Sequence, residues 1–335
     1  MKNALKSRKK RFVLFICTVF TVAIGFTAFS HLFFHRSVMA SFSEMYMLAV
    51  DRDEIYSNCR AYEKNIRQRA ISNLMEYTIP KGVSVSVDYR FVYEHNMQVY
   101  YFNENCSKKT VIVYIPGGGY LNNPLKYHWK IIDNISSKTN CPVIMPIYLK
   151  APNYTCEESY EAMVSFYKDL ATRDGIEHIV FAGDSSGGGM SLALAQLLRD
   201  SYPELLQPEE LLLIAPWMDV SMENEEISKY EPVDPMLDIY GTTEIGKLWA
   251  GERDVHDPLV SPIYGTFENL GNITLFIGTR DMLCPDCLKF SDILNEEGIE
   301  HTLVVEEGLD HPYPLFPTPE AKEAQQMMID IIASI

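Results

Sequence analysis

Three side chains, far apart in a chain of 335 residues, have the types and settings that acyl transfer requires. Ser185 stands in Gly183-Asp184-Ser185-Ser186-Gly187, after the apolar run Ile179-Val180-Phe181-Ala182 and before the helical run Gly188 to Leu198. G-x-S-x-G alone is a weak pattern. A strand before it and a helix after it make a nucleophile elbow, a tight turn that lifts a serine oxygen to the tip of a sheet above a helix N-terminus. That helix end favours the negative charge developed in acyl transfer.

A serine hydroxyl needs a base within hydrogen-bond reach, and the base needs a carboxylate behind it. His311, in Gly308-Leu309-Asp310-His311-Pro312-Tyr313, follows the last expected strand and precedes the last helix. The other histidines are worse placed: His31 and His35 in the N-terminal apolar end, His95 before a strand, His128 in a helical run, His178 and His301 at strand starts, His256 in a long insertion. For the acid, Asp281 directly follows the penultimate strand. Asp219, after the strand that follows the elbow, is its rival, and Asp310 adjoins His311 too closely to orient the ring. Gly117-Gly118-Gly119, after Pro116, offers backbone N–H groups to a carbonyl oxygen, joined by the N–H of Ser186.

These residues need a frame that brings strand ends together. Eight segments read as strands: 83–89, 97–102, 111–115, 142–148, 179–182, 211–215, 273–277 and 301–305. The first alternates apolar and polar residues, and 111–115 is a continuous apolar run, as a buried parallel strand should be. Helical patterns fall over 125–137, 157–173, about 286–297 and 320–334. This alternation predicts an α/β domain with a mostly parallel sheet and helices on both faces. Reactive groups then collect at the C-terminal strand ends. More than fifty residues separate the strands at 211–215 and 273–277, too many for a plain crossover. Residues 222–251 are read as an insertion covering the site, with helices in 41–78 packing against it.

The N-terminus has a separate character. Lys2, Lys6, Arg8, Lys9, Lys10 and Arg11 precede 12–34, which carries no formal charge. As a helix that stretch spans roughly 34 Å, enough to cross a bilayer. The expectation is a basic cytoplasmic head at 1–11, a transmembrane signal anchor at 12–34 and a catalytic domain beyond the membrane. The alternative is a signal peptide cleaved after Ala40, in Val38-Met39-Ala40. Residues 37–335 hold 22 Lys+Arg against 45 Asp+Glu, a net charge of −23. That surface disfavours nucleic acid. Cys284-Pro285-Asp286-Cys287 has C-x-x-C spacing without a second pair or histidines at ligand spacing, which points to an incidental pair or a local disulfide.

With these motifs in view, the chain resembles the hormone-sensitive-lipase-like carboxylesterases and acetyl esterases of the α/β-hydrolase family. The likeness covers roughly residues 80–335. It rests on the glycine loop, the G-D-S-S-G elbow, Pro216-Trp217-Met218-Asp219, Asp257-Pro258-Leu259-Val260-Ser261-Pro262, the Gly278–Asp281 turn and His311. The resemblance implies an α/β-hydrolase fold with an eight-stranded sheet and a helical cap. It implies Ser185, Asp281 and His311 as triad, with Gly118, Gly119 and Ser186 as oxyanion donors. The family usually places His before the three glycines, where this chain has Pro116. The expected activity is hydrolysis of a small or lipid-like carboxylic ester through an acyl-enzyme, with no metal or organic cofactor. A prolyl-type peptidase and a catalytically silent anchored binding protein are the rivals.

Overall fold

The structure, a computed structural model, describes residues 18, 19, 21–49 and 59–335. The expected basic head at 1–11 lies outside these residues, as do 12–17 and 20 of the expected anchor. Residues 21–33 are helical. Among the described residues no helix is long and apolar enough to cross a membrane. Two helices follow, α1 (Val38–Ala49) and α2 (Cys59–Ser72).

The sheet has eight strands: β1 (Tyr89–Glu94), β2 (Met97–Phe102), β3 (Thr110–Ile115), β4 (Val143–Ile147), β5 (His178–Asp184), β6 (Glu210–Ile214), β7 (Asn272–Gly278) and β8 (His301–Glu306). They lie in the order β1-β2-β4-β3-β5-β6-β7-β8. β1 pairs antiparallel with β2, and β2 antiparallel with β4; every other pairing is parallel. Seven of the eight expected strands coincide with observed ones to within a residue or two at most ends. The first does not: residues 83–88 form no strand, and β1 begins at Tyr89. The alternation there reflects side chains, with Val83, Val85 and Val87 packing on one core. The backbone donors of Ser86 and Val87 are taken by Asp133 Oδ1 instead of a ladder.

Period-two alternation divides each central strand between two cores. Val111, Val113, Phe181, Leu211, Leu213 and Leu275 join the core under α4 (Cys156–Ala171), α5 (Ser186–Ser201) and α7 (Cys284–Glu296). Ile112, Tyr114, Val180, Leu212 and Phe276 join the core under α3 (Lys126–Thr139) and α8 (Pro319–Ser334). Both faces are covered, so the strands are apolar throughout.

Between β6 and β7 the chain carries a single helical turn, Ile227–Tyr230, and α6 (Ile239–Ala250). Asp238 caps α6 by accepting the Gly241 N–H at 2.8 Å. Trp249 of α6 stacks on Tyr120 with ring centroids 4.0 Å apart, which seats the helix on the loop after β3. Tyr62 of α2 meets Tyr240 edge-on at 6.3 Å.

Candidate active site

β5 ends at Asp184, and α5 starts at Ser186. Ser185 between them has φ 54° and ψ −126°, a left-handed conformation that a serine holds only where its surroundings enforce it. Its N–H donates to Ile214 O at 2.8 Å, and its carbonyl accepts Trp217 N–H at 2.9 Å. A Cβ at Gly187 would overlap the Ile115 carbonyl, so the helix can approach β3 only with glycine there. Ser185 is half-buried at the C-terminal edge of the sheet.

His311 and Asp281 come from the loops after β8 and β7. His311 Nδ1 lies 2.7 Å from Asp281 Oδ2, and their residues are 2% and 0% exposed. An ionised carboxylate only accepts, so the proton sits on Nδ1, which leaves the Nε2 lone pair to act as base. Burial pushes the His311 pKa down; Asp281, by charge and hydrogen bond, with Asp234 and Asp184, outweighs it and holds the imidazole above its ordinary value. Asp281 Oδ1 accepts the Leu283 N–H at 2.8 Å, which fixes the carboxylate. Ser185 Oγ forms no hydrogen bond to His311 among the described residues. Such contacts commonly close only when substrate is bound.

The rival acid is engaged elsewhere. Asp219 accepts the hydroxyls of Ser221 and Tyr264, both at 2.6 Å, and the Ser221 N–H at 2.9 Å. Asp310 faces Arg36 and Arg280, away from the imidazole partner role.

Gly118 has φ 140° and Gly119 φ 62°, backbone that L side chains rarely adopt. The N–H groups of Gly118, Gly119 and Ser186 have no protein acceptor among the described residues. The loop is held without a histidine at position 116. Asp184 Oδ1 accepts the Gly117 N–H at 3.1 Å and the Tyr114 hydroxyl at 2.8 Å, while Oδ2 stands 3.1 Å from His128 Nε2. Leu125 N–H donates to His128 Nδ1 at 2.8 Å, so the His128 proton belongs on Nε2, donated to Asp184. Burial raises the Asp184 pKa, yet these donors, His128 foremost, hold it below the ordinary value. His128, dismissed from its helical setting, thus braces the elbow. No local sequence signal marks it, because its partner lies 56 positions away.

Asp234, in the insertion, was also missed. It is fully buried and accepts the N–H of Met236 at 2.7 Å, Leu237 at 2.9 Å and Met282 at 2.8 Å, tying the insertion to the turn after Asp281. Cys284 and Cys287 are buried free thiols, with no disulfide between them. Among the described residues no group of three His, Cys, Asp or Glu is arranged to hold a metal ion.

Residues 112–315 match a family model described as alpha/beta hydrolase fold. A triacylglycerol lipase from Mycobacterium tuberculosis is 29% identical over 62% of this chain, and the match spans 40% of the lipase's length. An esterase from Acinetobacter venetianus is 26% identical over 69% of this chain and 77% of its own. A Staphylococcus aureus structure, of a candidate esterase, superposes with a TM-score of 0.79 at 28% identity, covering 84% of this chain and 95% of that one.

Proposed function

This chain belongs to the alpha/beta-hydrolase fold family, and on that premise we propose that it is a serine hydrolase of carboxylic esters. The observation that carries the reading is the buried His311–Asp281 pair in the loops after β8 and β7, together with an elbow after β5 whose serine has positive φ. In this reading Ser185 Oγ attacks the ester carbonyl as His311 Nε2 takes its proton. Asp281 keeps the proton of Nδ1 in place and stabilises the imidazolium. The N–H groups of Gly118, Gly119 and Ser186 receive the oxyanion; losing one such donor costs roughly 10²–10³ in turnover. The imidazolium then returns its proton to the departing alcohol, and water, activated by the same base, releases the acyl group. Related proteins named lipase and esterase support an ester over a peptide amide.

The domain reading follows the same lines. Residues 80–335 form the catalytic unit, 222–251 its cap, and 41–78 helices that join the cap. Membrane attachment through 12–34, with the catalytic unit outside the cytoplasmic membrane, rests on the basic head and the uncharged run. Exposed Val22, Ile24, Leu32 and Phe33, with Phe42 and Tyr46 on α1, suit a lipid contact.

The test is a panel of p-nitrophenyl esters of graded chain length, run beside a peptide p-nitroanilide, on the full chain and on Ser185→Ala. Ester turnover that falls by roughly 10⁴-fold or more in the variant is expected. Burst kinetics retained in Ser185→Ala, or turnover of the anilide alone, would overturn the reading. Membrane fractionation in high salt and carbonate tests the attachment, and full release into the soluble phase sinks it.

A further inference from the structure

The stretch from Phe34 to Glu44 docks on the two loops that carry Asp281 and His311. Arg36, 3% exposed, donates from Nη1 to Gly308 O at 2.8 Å and stands 3.6 Å from Asp310 Oδ2. Its Nε donates to Ser41 Oγ at 3.1 Å, and its Nη2 pairs with Glu44 Oε2. Arg280 pairs through Nη2 with the other oxygen of Glu44 and donates to Val233 O at 3.2 Å. Its Nε lies 3.4 Å from Asp310 Oδ1. Both guanidinium groups sit over the Phe34 ring, at 4.6 and 5.1 Å. The Phe34 carbonyl approaches Gly308 so closely that a Cβ there would overlap it, and Gly308 has φ +74°.

Two guanidinium groups and two carboxyl groups therefore alternate in a closed, largely buried ring. Arg280 immediately precedes Asp281, and Asp310 immediately precedes His311. Each member of the ring that lies in the catalytic domain is one peptide unit from a member of the proposed acid–base pair. A buried ion network of this kind adds little net stability, since apolar packing of the same volume usually serves as well. What it does supply is geometry: each guanidinium has several fixed partners, Glu44 accepts from both arginines, and Asp310 accepts from Arg280 with Arg36 Nη1 at 3.6 Å.

We propose that Arg36 and Glu44 are positioning residues, which hold Arg280 and Asp310, and through them set Asp281 against His311. The proposal rests on the reading of Ser185, Asp281 and His311 as the reacting groups. It makes the segment before the catalytic domain a support of the proposed acid–base pair, acting through Arg280 and Asp310. A lysine at position 36 cannot serve Gly308, Asp310, Ser41 and Glu44 together, because it lacks the planar fork.

The test uses the full chain, with Glu44→Gln and Arg36→Met as variants and Arg36→Lys as the conservative control. Glutamine keeps the size of Glu44 but offers one acceptor oxygen where two arginines need two. Three readings are taken: kcat and KM on p-nitrophenyl butyrate, the labelling rate of Ser185 by a fluorophosphonate, and the far-downfield proton resonance of His311 Nδ1–H, assigned by its loss in His311→Gln. The expected result is kcat and labelling reduced roughly tenfold in Glu44→Gln, KM within about twofold, and the resonance shifted. Arg36→Lys should not restore the rate. If Arg36→Met fails to fold, Glu44→Gln decides. Variants with unchanged kcat, labelling and resonance overturn the positioning role while wild-type labelling keeps the triad reading standing. A wild type that the probe leaves unlabelled, with no downfield proton, ends both.

Discussion

The Asp184 carboxylate accepts the Gly117 N–H at 3.1 Å, so one side chain joins the serine elbow to the glycine loop. Asp184 thus fixes the spacing between Ser185, the proposed nucleophile, and the glycines of the proposed oxyanion site. His128 in turn holds Asp184 from α3, on the opposite side of the sheet from α5.

Removing that brace should loosen both loops together. In His128→Ala, Asp184 Oδ2 loses its donor in a buried setting, which costs about 1–3 kcal/mol. Urea denaturation measures this. If Gly118 and Gly119 are the oxyanion donors, their displacement with Gly117 should also lower kcat by at least about tenfold. A variant that loses stability with unaltered kcat would show that Asp184 serves folding alone.

The two candidate acids are separable by substitution. Asp281→Asn should lower kcat by roughly 10⁴-fold, since an amide can favour the wrong imidazole tautomer without disturbing the backbone. Asp219→Asn should weaken the bonds from Ser221 and Tyr264 and lower stability by about 1–2 kcal/mol, with kcat kept within tenfold. Steady-state kinetics of the pair decides, and the reverse ranking would make Asp219 the functional acid.

Asp234 links the insertion to the acid turn and bears on pH dependence. In the proposed mechanism His311 must be neutral to act as base, so kcat/KM should fall as pH drops through its pKa, which lies above the ordinary imidazole value of about 6.5. Asp234 is one of the groups that raise it. Burial first, then Asp281, pushes the Asp234 carboxyl itself up to about 6. Asp234→Asn removes that negative charge, so the acid limb of the kcat/KM profile should move to lower pH. The amide would also face the Met282 N–H with a donor, at a cost of about 1–3 kcal/mol. An acid limb that stays in place or moves upward refutes the coupling.

Lys150 carries a stability prediction of opposite sign. It is buried, donates to Tyr148 O at 2.9 Å, and burial lowers its pKa to about 7. The unfolded lysine keeps its proton to about 10.4. Between these values the unfolded state binds more protons, so this residue makes stability rise with pH from about 7 to 10. Lys150→Met should abolish that rise and, near pH 7, stabilise the protein by on the order of 1–3 kcal/mol after loss of the one hydrogen bond. Urea melts of both proteins across that window measure the difference; parallel curves would show that the amine is hydrated in the folded state.

Much of the frame was legible in the residues themselves. Apolar runs, the turn chemistry around Ser185 and helical spacing are local properties, and seven of the eight strands follow from them. Val83 to Tyr89 misled because alternation records which side chains are buried and not where the backbone donors go; here Asp133 takes them. The glycine loop was legible too, but its support was not. Pro116 breaks the family pattern at the one position where a sequence reader would look for the brace, and the brace comes from α3.

The sequence by itself determined the order of strands and helices, the elbow and the small set of groups able to react, because these depend on neighbours a few residues apart. It left Asp219 and Asp281 as competing acids, each in the segment that follows a strand. Only the tertiary structure separated them: β7 pairs with β8, so the loop after β7 runs beside the loop bearing His311, whereas Asp219 is turned into Ser221 and Tyr264. Likewise Arg36, His128 and Asp234 gain their partners across 272, 56 and 48 positions of chain. Contacts of that range are set by how layers pack, and no local pattern of residues encodes them.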